Sequence, residues 1–197
     1  MEPAAPQEQK DYAAQIAELE NEWKPGPDGI LRRAAGRVVA FDTQGRVLLQ
    51  LGHDSADSQH RWWFTPGGGL NPGESAQRGA AREFAEETGV HISATRLIGP
   101  VLSRHAVFRF VGETRRQDEL FFLVHLTAEE AKAAISGTNT QLTVLEQDVL
   151  DAIAWHSPAE LAALAAGPVP IYPRELPQYA AQWFQGWDGT MREIHEE

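Results

Sequence analysis

"GGGLNPGESAQRGAAREFAEETGV", residues Gly67 to Val90, decides how this chain reads. It begins with three glycines, turns at Pro72-Gly73 and ends in Glu83, Glu86 and Glu87. Ser75 suits a helix N-cap, and Gly89 stands where a helix C-terminus favours a left-handed residue. The stretch predicts a helix over 76–88, about three and a half turns. Ala80 and Phe84 lie four apart and face a core. Glu83, Glu86 and Glu87 lie at i, i+3 and i+4 and share another face. Carboxylates so placed repel, and the dipole near a helix C-terminus disfavours them further. A cation among them offsets both effects. Oxygen-only donors suit Mg²⁺ or Mn²⁺, whereas zinc takes His or Cys. Arg82, four residues before Glu86, can pair with it along the helix. For the acids alone a solvated charged face is the better reading. The adjoining glycines change that, because bare backbone at 67–69 can approach the acids and offer a carbonyl to an ion.

Those glycines are not a phosphate cradle of a known type. No Gly-Lys-Ser/Thr follows them, and the strand–G-x-G-x-x-G–helix order of a dinucleotide fold is missing. Ahead of them, "AAGRVVAFD" (34–42) and "RVLLQLG" (46–52) read as a hairpin around "TQG". "HDSADSQH" (53–60) reads as a polar loop and "RWWFTP" (61–66) as a short aromatic strand. Behind them, 91–112 and 118–126 supply strands, and "TAEEAKAAI" (127–135) is a short helix capped by Thr127. Residues 136–147 read mostly as loop, 151–156 as a strand and 157–167 as a helix with Ser157 as cap and Pro158 at its first position. A proline-punctuated tail holds a helix near 176–187. Residues 1–31 read as an appendage with a helix over 11–23, and "KPGPDG" (24–29) as a turn or linker. Strands in the middle with helices between and after them give an α+β or mixed-sheet α/β class.

A length of 197 residues suits one domain with decorations. The absence of cysteine excludes disulfides, thiolate metal sites and a cysteine nucleophile. No basic region followed by an apolar core opens the chain, and no apolar run approaches the ~20 residues that span a bilayer. These features predict a cytoplasmic protein with no membrane contact. The net charge of −11 and the lack of a basic run argue against a nucleic-acid partner. A polyanionic substrate would need cations between it and this protein.

The opening stretch resembles the Nudix box: glycine, five residues, Glu, seven residues, then Arg-Glu-apolar-x-Glu-Glu-x-Gly-apolar. Gly68, Glu74, Arg82, Glu83, Phe84, Glu86, Glu87, Gly89 and Val90 fill its fixed positions. The box covers residues 68–90, and looser likeness in the flanks extends the resemblance to about 34–166. It implies an α/β/α sandwich around a mixed sheet, with the box as loop–helix–loop. The corresponding division is an N-terminal extension (1–31), a Nudix domain (32–167) and a C-terminal extension (168–197). It implies hydrolysis of a nucleoside diphosphate linked to another group, with Mg²⁺ or Mn²⁺. Carried over by position, Glu83, Glu86 and Glu87 are metal ligands, with the Gly67 carbonyl as a further one. Arg82 orients the acids, Glu74 is a structural partner for it, and Gly68 and Gly89 shape the loop and the helix end.

Outside the box, the proton acceptor is Glu86 or Glu87, or a loop acid, for which Glu146 is preferred to Asp148. Arg104 and Arg109 are candidates for holding a phosphate and Trp62 for stacking on a base. Glu119 reads as a strand-end charge, Arg115 and Arg116 as turn decoration, and His105 and His125 as packed residues. Secondary markers of the family's ADP-ribose, dinucleoside polyphosphate, NADH and coenzyme A hydrolases are not found. Three functions stay open: a nucleoside diphosphate derivative hydrolase, a hydrolase of common or oxidised nucleoside triphosphates, and a nucleotide-sensing module without catalysis. A homodimer is compatible with the aromatic tail.

Overall fold

Alternation along one strand organises the molecule, which is described here by a computed structural model over residues 23–110 and 112–197. Strand β1 (Lys24–Pro25) folds back on β2 (Leu31–Phe41). Along β2, Val38 and Ala40 enter one core while Val39 and Phe41 enter another on the opposite face. Both faces of the sheet are therefore covered, and β2 reads as a continuous apolar run at its C-terminal end.

The remaining strands are β3 (Val47–Asp54), β4 (Asp57–Phe64), β5 (Gly67–Gly69), β6 (Ile98–Phe110), β7 (Glu113–His125), β8 (Leu150–His156), β9 (Ile171–Tyr172) and β10 (Arg192–Glu196). They form one mixed, branched sheet in the order β10-β6-β7-β2-β3-β4-β9, with β1 and β5 on β2 and β8 on β3. β2 runs parallel to β7, and β7 antiparallel to β6. The helices are α1 (Ala76–Thr88), α2 (Ala128–Ala133), α3 (Val144–Val149), α4 (Pro158–Ala165) and α5 (Leu176–Gln185). Ala80 and Phe84 of α1 and Ala131 of α2 fill the first core. Leu161 of α4 and Leu176, Ala180 and Trp183 of α5 fill the second. The architecture is α+β, with helices on both sides of a curled mixed sheet.

α1 spans the residues that its caps mark. Ser75 accepts from the Arg78 N–H, and Gly89, at φ 71°, donates to the Ala85 carbonyl. Elsewhere several elements differ from the sequence reading. The polar loop over 53–60 is a tight hairpin: β3 runs to Asp54 and β4 starts at Asp57, because cross-strand pairing overrides local polarity. The loop over 136–147 ends in a helix, α3, closed by a Thr143/Glu146 capping box. The tail contributes β9 and β10 as well as α5, and α5 is core. Residues 24–29 are a turn between paired strands rather than a free linker. Trp23 is buried, with the guanidiniums of Arg33 and Arg115 over its ring. The first twelve positions of the helix expected over 11–23 lie outside the described residues.

Candidate active site

The glycine strand and the acidic helix meet over β2. β5 pairs antiparallel with β2, setting Ala35 opposite Gly69 and Arg37 opposite Gly67. α1 lies against the same part of β2. Gly36 permits this, since a Cβ there would stand 2.8 Å from the Ala80 nitrogen. Gly68 does the same for the acids: a Cβ would stand 2.5 Å from Glu83 Oε2. Glycine at this position lets a carboxylate rest on bare backbone.

Two arginines hold the site from opposite sides. Arg82 donates from Nε and Nη2 to both oxygens of Glu74 (3.1 and 3.0 Å), from Nη1 to Glu83 (2.7 Å) and Glu86 (3.0 Å), and from Nη2 to the Gly69 carbonyl (2.8 Å). The guanidinium fork thus joins the loop, the residue before the cap and the helix in one network. Arg37 donates to the Gly67 carbonyl, to the Thr65 carbonyl (3.2 Å) and to Glu119 (2.8 Å). The Gly67 N–H donates to Glu87 Oε2 at 2.8 Å. Its carbonyl, a candidate metal ligand by sequence, thus has one lone pair engaged by Arg37.

The convergent carboxylates are Glu83, Glu87 and Glu146, each with an oxygen within 4.8 Å of the others. Glu86 stands apart from this group, its side chain 36% exposed and turned to Arg82. Glu146 comes from the first turn of α3, where Thr143 donates to its Oε2 through N–H (2.7 Å) and hydroxyl (2.9 Å). Among the described residues its second oxygen has no such tie. Asp148, also on α3, is exposed.

Crowding shows in the electrostatics. Burial pushes Glu87 well above the usual carboxylate range, and Glu83 and Glu146 add to this; Arg37 and the Gly67 N–H oppose it. Burial raises Glu83 too, against Arg82. The Arg82 guanidinium resists burial because Glu74, Glu83 and Glu86 together keep it more basic than usual. Its hydrogen bonds hold Glu74 below the usual range. Two like carboxyls with raised pKa, converging with a third over bare backbone, fit a hard divalent ion. The donor set holds neither nitrogen nor sulfur.

The other sequence candidates fall in different surroundings. Arg104 is buried and donates to Glu119 (2.5 Å) and Glu196, so its guanidinium is committed to two carboxylates. Arg109 is exposed at the far end of β6 and donates to the Gly112 carbonyl. Trp62 is half-buried, its ring 5.1 Å from that of His60. Glu119 is not a strand-end charge. It is wholly buried in β7 between Arg37, Arg104 and Gln117. Burial works against its charge, but Arg37 and Arg104 outweigh it and bring its pKa down to about 2. Arg115 likewise leaves the turn and lies buried over Trp23 and Phe110. His105 is half-exposed and bonded to Asp118 rather than packed among apolar groups. Trp155 donates to the Ala131 carbonyl at 2.9 Å and packs on the first core.

Sequence reading passed over Gly36, Arg37 and Glu196. A charge in mid-strand among apolar neighbours, as in "GRVVAF" and "DELFFLV", was the available signal for a buried ion pair. Glu196 carried none, because its partner Arg104 is 92 residues away.

Comparison with known proteins supplies a family. A model of the NUDIX domain matches residues 31–177. The chain is 28% identical over 112 residues to an RNA pyrophosphohydrolase of Sphingopyxis alaskensis, a match covering 53% of this chain and 69% of that protein. It is 36% identical over 73 residues to diphosphoinositol polyphosphate phosphohydrolase 3-alpha of Mus musculus, covering 37% of this chain and 42% of that protein. The chain thus spans less than half of the mouse protein. Among solved structures, a MutT NUDIX hydrolase from Burkholderia pseudomallei aligns with TM-score 0.49 at 19% identity, covering 77% of this chain and 96% of the other. An ADP-ribose pyrophosphatase from Streptococcus suis aligns with TM-score 0.49 at 15% identity, covering 82% and 98%.

Proposed function

Because this chain belongs to the Nudix family, hydrolases of phosphoric anhydride bonds that use divalent metal ions, we propose that it cleaves the pyrophosphate bond of a nucleoside diphosphate derivative with Mg²⁺ or Mn²⁺. The observation that carries this reading is the convergence of Glu83, Glu87 and Glu146, with Glu83 against the bare backbone of Gly68 and Glu87 on the Gly67 N–H.

Glu83 and Glu87 would hold the ion from α1, and Glu146 would stand beside them as the group that takes the proton. When bound, the ion supplies positive charge against the diphosphate oxygens and acidifies water in the site. Arg82 keeps Glu83 and Glu86 in place relative to the loop, so the acids do not swing apart when the site is empty of substrate. Arg37 fixes the Gly67 peptide, whose N–H in turn fixes Glu87. Glu146 accepts the proton from the attacking water. It has an oxygen tied to Thr143 for orientation and another free for the proton. Glu86, on the exposed rim, stays paired with Arg82.

The nucleoside would rest on Phe64 and Tyr172. β4 and β9 pair these two residues in parallel register, directly before the glycine loop. Arg37 lies 5.5 Å over Phe64, and Arg104 and Arg174 lie 5.3 Å from Tyr172. Phe64 borders the loop more closely in sequence than Trp62 does. Arg174 is exposed, and its guanidinium is placed to meet a phosphate.

A panel of nucleotide sugars, ADP-ribose, dinucleoside polyphosphates and nucleoside triphosphates, with Mg²⁺ and with Mn²⁺, tests the reading by chromatography of products. Cleavage of diphosphate derivatives, abolished by EDTA, is expected. Glu146→Gln should lower kcat by about 10²–10⁴-fold with metal affinity kept, whereas Glu83→Gln should weaken the metal. Pyrophosphate release from triphosphates alone would move the substrate class. Tight nucleotide binding with no turnover would overturn hydrolysis.

A further inference from the structure

β10 places a second group of ligand-type side chains far from α1 in sequence and on other strands. β10 runs parallel to β6, with His195 directly beside His105 and Glu193 beside Ser103. Glu193 and His195 are two apart on a strand and therefore share a face. The two imidazoles are stacked, 4.8 Å between centroids and 22° from parallel. Glu193 Oε1 is 3.3 Å from His195 Nε2 and 3.8 Å from His105 Nε2. One ligand atom from each of the three side chains lies within 4.8 Å of the others.

The far nitrogen of His105 adds an independent observation. Its Nδ1 is 2.6 Å from Asp118 Oδ1, across the β6–β7 pair that sets His105 opposite Asp118. An ionised carboxylate only accepts, so Nδ1 carries the hydrogen, and in the neutral ring the lone pair left for a metal is on Nε2, the nitrogen nearer Glu193. A carboxylate bonded to the remote N–H of a histidine is the arrangement that orients histidine ligands in metal sites.

We infer that His105, Glu193 and His195 form a second metal site, selective for a borderline transition ion such as Zn²⁺ and separate from the carboxylate group on α1. Two imidazole nitrogens and one carboxylate oxygen match Zn²⁺ and not Mg²⁺. Ligand atoms about 2.0–2.1 Å from a tetrahedral ion are roughly 3.3 Å apart, close to the two spacings already present. A fourth position would go to solvent, since all three side chains reach it. The ion would tie β10 to β6 one residue before Glu196, whose carboxylate holds buried Arg104. The site is thus a clasp on the C-terminal strand.

The test titrates Zn²⁺ alone into the full chain with saturating Mg²⁺ present, so that the α1 carboxylates are already occupied. Affinity is read by competition with a chromophoric chelator and ligation by histidine ring resonances. One equivalent should bind, shifting two histidine spin systems. His105→Ala and His195→Ala should each weaken it at least tenfold, Asp118→Asn by roughly 10–100-fold, and Glu83→Gln not at all. Circular dichroism checks that each variant is folded. Absence of binding, or equal Zn²⁺ affinity in the His105→Ala, His195→Ala double variant, would overturn the proposal.

Discussion

Two buried glutamates in this molecule carry opposite electrostatics, and the difference is their partners. Glu119 has two guanidiniums within hydrogen-bond reach, so its charged form is favoured in spite of burial. Glu87 has one N–H, a more remote Arg37 and two neighbouring carboxylates, so its charge is opposed. An unrelieved charge of this kind destabilises the folded state until a cation arrives. Glu87→Gln should therefore raise the melting temperature of the metal-free protein at pH 7 to 8 while lowering turnover by orders of magnitude. Gln keeps an acceptor for the Gly67 N–H. A fall in the metal-free melting temperature would show that Glu87 is not under electrostatic stress. The sequence revealed the acids and Arg82 because they lie within one helix. It also offered the Arg82–Glu86 pair, but it could not reveal that Glu146 takes a place beside Glu83 and Glu87. That depends on where α3 lands.

At the scale of elements, two short devices position the site. α1 is a local unit: cap, amphipathic spacing and left-handed Gly89 all lie within its own stretch, which is why its ends were legible. α3 is six residues long and too short to persist by itself; its capping box holds it closed. The same box ties Glu146 Oε2 to Thr143. Thr143→Ala removes the hydroxyl from both the cap and the carboxylate. It should cost about 1 kcal/mol of stability, and, if Glu146 is the proton acceptor as proposed, it should lower kcat more than it raises KM. Equal kcat in this variant would detach Glu146 from the chemistry. The sequence shows a Thr three residues before a Glu there, but the glycine, threonine and asparagine ahead of it make the stretch read as loop.

Across the whole molecule, a line of ion pairs joins the C-terminal strand to the glycine loop. It runs from Glu196 to Arg104, to Glu119, to Arg37 and to the Gly67 carbonyl. Glu196 also accepts from the Arg174 backbone N–H, which fixes the segment carrying Tyr172. This line has a pH signature. The folded pKa of Glu119 lies below its unfolded value near 4.5, so its stabilisation is present above that value and is lost as pH falls toward about 2. Glu119→Gln should flatten the acid limb of a stability–pH curve between about pH 4.5 and 2 and destabilise the protein at neutral pH, since two buried guanidiniums lose their shared partner. An unchanged acid limb would remove Glu119 from this role.

The chain alone determined that a capped acidic helix follows a glycine loop, that its acids crowd one face, and that the box is that of the Nudix family. Each of these rests on residues close together in sequence, where spacing and propensity act directly. Only the tertiary structure decided which carboxylates converge, that Arg104 serves Glu119 and Glu196, that the tail supplies core and strands, and that His105 meets His195. The Arg104 contacts bridge 15 to 92 residues and, like the His105–His195 contact, exist because sheet pairing brings β10, β6, β7 and β2 side by side, while the carboxylates converge because α3 lands beside α1. Register between distant strands is set by burial over the whole sheet, which no local pattern encodes.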